Sequence, residues 1–256
     1  MRNRNIFIDE FDLIRPENKF SATLCCCSFS HKIDYEGIIQ YLHTQERNYY
    51  NTLKFEKRSR SYLIGRFAAK QAVAALTGEE KLTDIVIQSG VFTHPIVISN
   101  KQNIQVSITH CEDYGAALAF PEAHPMGIDL ERIDPCKRDV LTGQNTEFEA
   151  TRIVPLVAAA ASYDAGLTLL WTAKEALSKI LKTGLMTPFE LFEISRIDIG
   201  DDFIMCYYKN FAQYKAMSFI VDNYMYSIAY PIKTQLHFDV RSLKENYLQA
   251  AVKTAI

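Results

Sequence analysis

Apolar positions recur with two different periods along this chain, and the period switches in blocks. Residues 19–29 read as a strand. From about Asp34 to Leu76 the apolar residues fall at helical spacing with at least one break, and Gly78 stands where a C-terminal cap belongs. Five short β-like runs follow, DIVIQS, HPIVIS, IQVSITH, YGAALAF and MGIDLE. Gly, Pro, Asn and Asp separate them, which predicts a small sheet with tight connections. A second helical region covers about Glu147 to Lys182 and is expected to end at Gly184. Strand-like runs near 190–198, 202–208, 216–221 and 224–230 come next, then an amphipathic helix from about Asp239. Helices followed by strands, twice over, predict an α+β fold of two similar halves, 1–122 and 123–256, packed as one body without a visible sequence repeat.

Composition narrows the class. With 48% hydrophobic and 23% charged residues, and no run of about 18 apolar residues, a membrane span is excluded. The first twenty residues lack the apolar core and cleavage site of a secretory signal, so a cytoplasmic protein is expected. Cys25, Cys26 and Cys27 lie in an apolar stretch and read as reduced strand residues, while Cys111, Cys136 and Cys206 form no local ligand pair. A net charge of −2 argues against a nucleic-acid-binding protein. The charge is uneven, however: Leu53 to Lys70 holds six basic residues (Lys54, Lys57, Arg58, Arg60, Arg66, Lys70) against Glu56 alone. For the first four of these a solvated helix face is as good a reading as any function.

Candidate chemistry sits in two segments. In the strand MGIDLERI, Ile128 and Leu130 are expected to point into the core, with Asp129 and Glu131 together on the other face. Alone, that acid pair fits a solvated surface as well as a cation site. Magnesium prefers oxygen ligands and keeps several waters, so a few carboxylates suffice for it. The helical segment LLWTAKEALSKILK separates into an apolar side (Leu170, Ala173, Leu177, Ile180, Leu181) and an opposite side carrying Trp171, Lys174, Glu175, Ser178, Lys179 and Lys182. An exposed Glu175–Lys179 pair alone would mean little. Together, the two segments supply three oxygen ligands beside cations for phosphates, which is equipment for phosphoryl transfer.

These residues resemble the Sfp-type 4′-phosphopantetheinyl transferase family, whose signatures are a G-[IV]-D-x-E strand and, some forty residues on, W-[ST]-x-K-E-[AS]-x-x-K. Gly127, Ile128, Asp129 and Glu131 match the first; Trp171, Thr172, Lys174, Glu175, Ala176 and Lys179 match the second. Residues 107–120, SITHCEDYGAALAF, resemble the family's S-H segment, with Thr109 in the serine place and His110 retained. Residues 60–76 resemble its basic helix with central glycine and arginine. Where the family often has Gly-Lys-Pro, this chain has Thr93, His94 and Pro95, and His94 replaces a phosphate-binding lysine only in part. The T-H-C and Leu-Ile-Gly-Arg stretches look closest to the siderophore-synthetase branch. The resemblance covers roughly residues 55–230.

The resemblance implies a pseudo-dimer of two similar α/β halves, a monomer in solution, with coenzyme A as substrate and an acyl or peptidyl carrier protein as partner. A carrier serine attacks the β-phosphate and 3′,5′-ADP leaves. Asp129, Glu131 and Glu175 would bind Mg²⁺, with Glu175 also able to take the serine proton. Lys174 and Lys179 would hold phosphate oxygens, and Arg66, Lys70 and His110, beside Thr109, would receive the 3′-phosphate or nearby oxygens. Asp129, Glu175 and Lys179 are the expected catalytic set, and Trp171 is assigned to packing. Two rival readings keep the same residues: a non-catalytic module that binds coenzyme A or a carrier protein, and a magnesium-dependent phosphohydrolase.

Overall fold

A computed structural model describes residues 5–29, 32–99 and 103–245. The fold is α+β, and the chain divides into two compact units. The first comprises the described residues up to Pro125 together with those from Gln235; the second is Met126–Thr234.

The first unit opens with β1 (Asn5–Ile14) and β2 (Lys19–Ser28), paired antiparallel along their length. Three short helical pieces follow: α1 (Lys32–Glu36), a 3₁₀ turn at Ile39–Tyr41 and α2 (Thr44–Tyr50). Then comes the long helix α3 (Glu56–Thr77), closed by Gly78, whose φ of +71° is the left-handed cap expected of glycine. β3 (Val86–Ser89) and β4 (Pro95–Ile98) form a hairpin of their own, and β5 (Ile104–Cys111) and β6 (Tyr114–Pro121) join β1 and β2. Leu63, Ile64, Phe67, Ala68 and Ala72 of α3 are buried in the unit's core with Cys25, Cys27 and Ala117 of the sheet. The small residues let helix and sheet approach closely: a Cβ on Gly115 would stand 2.7 Å from Ile64 Cγ1.

The second unit begins with β7 (Gly127–Arg132), then α4 (Arg138–Thr142), a π turn at Glu149–Ile153 running into α5 (Val154–Ala160), and the long helix α6 (Tyr163–Leu181). β8 (Ile194–Ile199), β9 (Ile204–Tyr208), β10 (Tyr214–Val221) and β11 (Tyr224–Pro231) complete an antiparallel sheet of order β7-β11-β10-β9-β8. α6 lies across β7 and β11. Gly127 sets that approach, because a Cβ there would meet the Ala176 carbonyl oxygen at 2.0 Å.

Several expectations are corrected. The five β-like runs do not make one small sheet: β3–β4 stand apart, β5–β6 extend the β1–β2 sheet, and β7 belongs to the second unit. Alternation fixes a strand and its faces but not its partner. The stretch 147–182 is two helical segments bent by 118°, because Ser162 starts a new helix by accepting the Ala165 N–H at 3.0 Å. That helix ends at Leu181 with Lys182 in the left-handed region (φ 56°), ahead of the expected Gly184. Asp129 is itself buried on the α6 side of β7, with Ile128 and Leu130 buried on the other. At the far end, β12 (Gln235–His237) pairs with β1, so the chain returns to the first unit after Thr234 rather than staying in a half that runs 123–256. Residues 240–245 are helical, as expected from Asp239 on; the rest of that expected helix lies outside the described residues.

No sequence repeat announces it, yet with β1 and the later β12 of the first unit set aside, both units run strand, short helices, long helix and four more strands. Their last hairpins correspond in detail. β5–β6 closes on the pair Cys111–Tyr114 through Glu112 (φ 53°), and β10–β11 closes on Val221–Tyr224 through Asp222 (φ 53°). Both returning strands run from Tyr to Pro, Tyr114–Pro121 and Tyr224–Pro231. Counting from the turns, Ala117 corresponds to Ser227, and their register partners on the neighbouring strands are Cys25 and Asp129.

Candidate active site

In the second unit, β7, α6 and the 3₁₀ turn at Pro135–Lys137 bring three carboxylates and two lysines into electrostatic contact. Lys179 Nζ donates to Asp129 Oδ1 at 2.8 Å and to the Ile128 carbonyl at 2.7 Å. Lys137, a residue that sequence reasoning passed over, donates to Glu131 Oε2 at 2.7 Å. Glu175 lies one helical turn before Lys179 on α6. Burial, then the negative charge of Asp129, pushes its carboxyl up to about 7, against the pull of Lys179, the Ser178 hydroxyl notwithstanding. Its Oε1 is buried with no hydrogen-bond partner among the described residues. Behind the site runs a line of buried hydroxyls: Thr172 Oγ1 is 2.7 Å from Ser227 Oγ, which is 2.7 Å from Ser218 Oγ. Ser227 is the register partner of Asp129, so the hydroxyl position of the helix signature braces the strand beside the acid.

As they lie, no three His, Cys, Asp or Glu side chains among the described residues are gathered closely enough to hold a metal ion. The donor set nevertheless fits one. It is all oxygen, it includes a buried carboxylate oxygen of Glu175 without a partner, and burial and the negative charge of Asp129 raise the cost of ionising Glu175, which a divalent cation would relieve.

The other expected residues fall in the first unit, around a cleft of ≈ 280 Å³ lined by Arg58, Ser61, Arg66, Ser89, Thr93 and His110, among others. Arg66 is held with its guanidinium 4.9 Å over the Tyr62 ring and its Nε 4.0 Å from Glu46 Oε1. Arg58 belongs to this cleft; on sequence it was equally well a solvated helix residue, and only the fold of α3 separates the two readings.

Three assignments change. Lys70 is 0% exposed, and its ammonium donates to Glu46 Oε2 at 2.6 Å and to the carbonyls of Leu82 and Ile85, so it does not line the cleft. Lys174, expected on the polar face of its helix, is likewise 0% exposed; it pairs with Glu149 Oε2 at 2.6 Å and donates to the Gln144 carbonyl at 3.0 Å. Both were misplaced because their partners lie two dozen residues away, beyond the reach of a helical projection. Thr109 is buried and alternates away from His110 along β5, outside the cleft. His94 Nδ1 is bonded back to the Val91 carbonyl within its own turn. Trp171 packs as expected, stacked 4.9 Å from Phe189.

A glycine that admits a helix onto a strand, acids on the covered face and a lysine reaching back from that helix form one structural unit, and the sequence around it has relatives. Residues 125–229, which contain both signatures, match the family model described as the 4′-phosphopantetheinyl transferase superfamily. Among curated proteins, the holo-[acyl-carrier-protein] synthase of Bacillus pumilus (strain SAFR-032) is 39% identical over 75 residues, 26% of this chain and 62% of that protein's length. Among solved structures, a holo-(acyl-carrier-protein) synthase from Bacillus anthracis str. Ames, in complex with CoA (3′,5′-ADP), aligns over 45% of this chain and 93% of its own, at 24% identity and a TM-score of 0.32.

Proposed function

We propose that this chain transfers the 4′-phosphopantetheine arm of coenzyme A to a serine of an acyl or peptidyl carrier protein, releasing 3′,5′-ADP. The observation that carries the reading is Glu175: a buried carboxyl poised near neutral pH beside Asp129 and Lys179, in a stretch that matches the superfamily model with both signatures complete. In the reaction the serine Oγ forms a bond to the β-phosphorus, the bridging P–O bond of the pyrophosphate breaks, and its electron pair leaves with 3′,5′-ADP. Glu175 takes the serine proton, directly or through water, as general base. Lys179 neutralises Asp129 and offers its ammonium to a phosphate oxygen. Arg66, with Arg58 and His110 in the same cleft, receives the 3′-phosphate. Mg²⁺ held by Asp129, Glu131 and Glu175 would supply Lewis-acid neutralisation of the pyrophosphate charge.

Incubation with coenzyme A, magnesium and an apo carrier protein, read by mass spectrometry, tests the reading. A mass gain on the carrier supports it. 3′,5′-ADP without a gain means hydrolysis, and neither product means a binding module; both outcomes overturn transfer. Among the described residues no single helix is long and apolar enough to cross a membrane. A cytoplasmic place, a monomeric state and service to a siderophore, nonribosomal-peptide or polyketide carrier belong to the same proposal, and a panel of apo carriers tests the last.

A further inference from the structure

We infer that Lys174 is a positioning residue rather than a phosphate ligand, one half of a buried carboxylate–ammonium clamp that each unit carries once: Glu149–Lys174 in the second and Glu46–Lys70 in the first. The inference deepens the proposed site and rests on that reading for its kinetic consequences. The two clamps match atom for atom. Glu149 Oε2 meets Lys174 Nζ at 2.6 Å and accepts the Thr146 N–H at 2.9 Å, while its Oε1 accepts the Ile194 N–H at 2.8 Å. Glu46 Oε2 meets Lys70 Nζ at 2.6 Å and accepts the His43 N–H at 2.9 Å, while its Oε1 accepts the Ile87 N–H at 3.0 Å. Each glutamate therefore closes the start of the helical turn it sits on, takes an N–H from the first strand region after the long helix, and ties down the long helix itself. Each lysine also donates to main-chain carbonyls, Lys174 to Gln144 and Lys70 to Leu82 and Ile85.

An ammonium has three donors, and those of Lys70 are all committed. Both lysines are 0% exposed. Removing either partner strands a buried charge, so the pair acts as a unit. The recurrence decides the role. In the first unit the lysine is followed by Gln71, and its neighbouring strand carries Cys25 where the second unit carries Asp129, so that clamp has no carboxylate site to serve. It is kept for what the two units share, the fixing of a long helix. In the second unit the helix so fixed carries Glu175, the residue after Lys174. In the first, Glu46 also stands 4.0 Å from Arg66 Nε, so that clamp steadies the cleft arginine. Loosening the second clamp should therefore act on turnover and loosening the first on coenzyme A binding.

The direct test labels the folded wild-type chain with an amine-acylating reagent and follows each lysine by peptide mass spectrometry. Lys70 and Lys174 should react at least about tenfold more slowly than Lys137 and Lys182, and saturating coenzyme A should leave the Lys174 rate unchanged. Lys174 reacting as fast as Lys182 in the free chain, or gaining protection from coenzyme A, would overturn the assignment. Kinetics separate positioning from plain structural support. Glu149→Gln should lower kcat about tenfold or more with KM for coenzyme A within about twofold, and Glu46→Gln should do the reverse. Equal effects of both on KM, or no effect of either, would refute positioning. Where a single variant fails to fold, the paired replacements Lys174→Met/Glu149→Gln and Lys70→Met/Glu46→Gln remove both charges together and carry the same split. A wild-type chain that neither binds coenzyme A nor transfers would sink the proposed function, while the labelling of the free chain would still decide the clamp.

Discussion

The two units are one frame carrying different chemistry. Both fix a long helix with a buried glutamate–lysine pair, and both close their final hairpin with a non-glycine residue near φ 53°. The positions between diverge. Asp129 corresponds to Cys25 and Glu131 to Cys27, by register with the matched hairpin strands. Counting from the clamp lysines, Glu175 corresponds to Gln71 and Lys179 to Ala75, whereas Arg66 corresponds to Leu170; His110 corresponds to Ile220 by the hairpins. Each unit thus keeps carboxylate, basic or imidazole groups where the other has a neutral thiol, amide or apolar side chain. A frame pinned by main-chain bonds and one buried ion pair leaves the strand faces and helix flanks open to different side chains, so the chemistry can change without the fold.

The largest test of this division pairs Asp129→Ala with Cys25→Ala. The first should lose transfer by about 10³-fold or more while the chain stays folded, and the second should stay within about twofold, since it deletes only a buried sulfur. Comparable losses from both would erase the distinction between the units.

Next comes stability at the strand–helix contact. Gly127→Ala places a Cβ 2.0 Å from the Ala176 carbonyl oxygen, so backbone must shift. The expected cost is about 3 kcal/mol, the upper end for overpacking. Its counterpart Thr23 is buried with a full side chain, and its hydroxyl has no hydrogen-bond partner among the described residues. Thr23→Ala should cost less than half as much in the same denaturation experiment; a tolerated Gly127→Ala would show that α6 does not rest on β7 as described.

Arg66→Ala should raise KM for coenzyme A about tenfold or more and change KM for 3′-dephospho-coenzyme A far less, because a charge-assisted phosphate contact is lost. Equal changes would remove Arg66 from 3′-phosphate recognition.

The smallest effect is linkage. Without metal, the folded chain holds a proton on Glu175 up to about pH 7, whereas the ordinary carboxyl value is 4.5. A raised pKa contributes stability that is complete below the unfolded value and is lost as pH rises through the folded one. Glu175→Gln removes that loss, so the variant's Tm advantage over the wild type should grow between pH 4.5 and 8. An advantage that stays flat over this range would mean that Glu175 ionises normally.

Much of this frame was legible because local patterns coincide with it. Gly78 capped α3, alternation marked β5, β6, β7, β10 and β11, and the spacing of Gly127-Ile128-Asp129 and Lys174-Glu175 set out the signature segments. The strand β1 was not read, since Asp9, Glu10 and Asp12 interrupt its apolar run and its identity rests on full-length pairing with β2. The fates of Lys70 and Lys174 were hidden for a related reason: a helical projection shows which residues share a face, not that Glu46 or Glu149 folds back to cover one of them. The repeat escaped because it survives in hydrogen bonds to main-chain groups, which leave little trace in side-chain identity.

If the second unit performs the chemistry while binding rests on the basic cleft, Glu175→Gln separates the two. Calorimetry should show coenzyme A bound within about twofold of wild type, while transfer to an apo carrier falls about 10² to 10⁴-fold, the usual cost of losing a general base. Titrating magnesium in the same assay separates the two roles: recovery at high magnesium marks lost metal affinity, and no recovery marks the base. Near-normal turnover at ordinary magnesium would contradict both roles and, with them, the site.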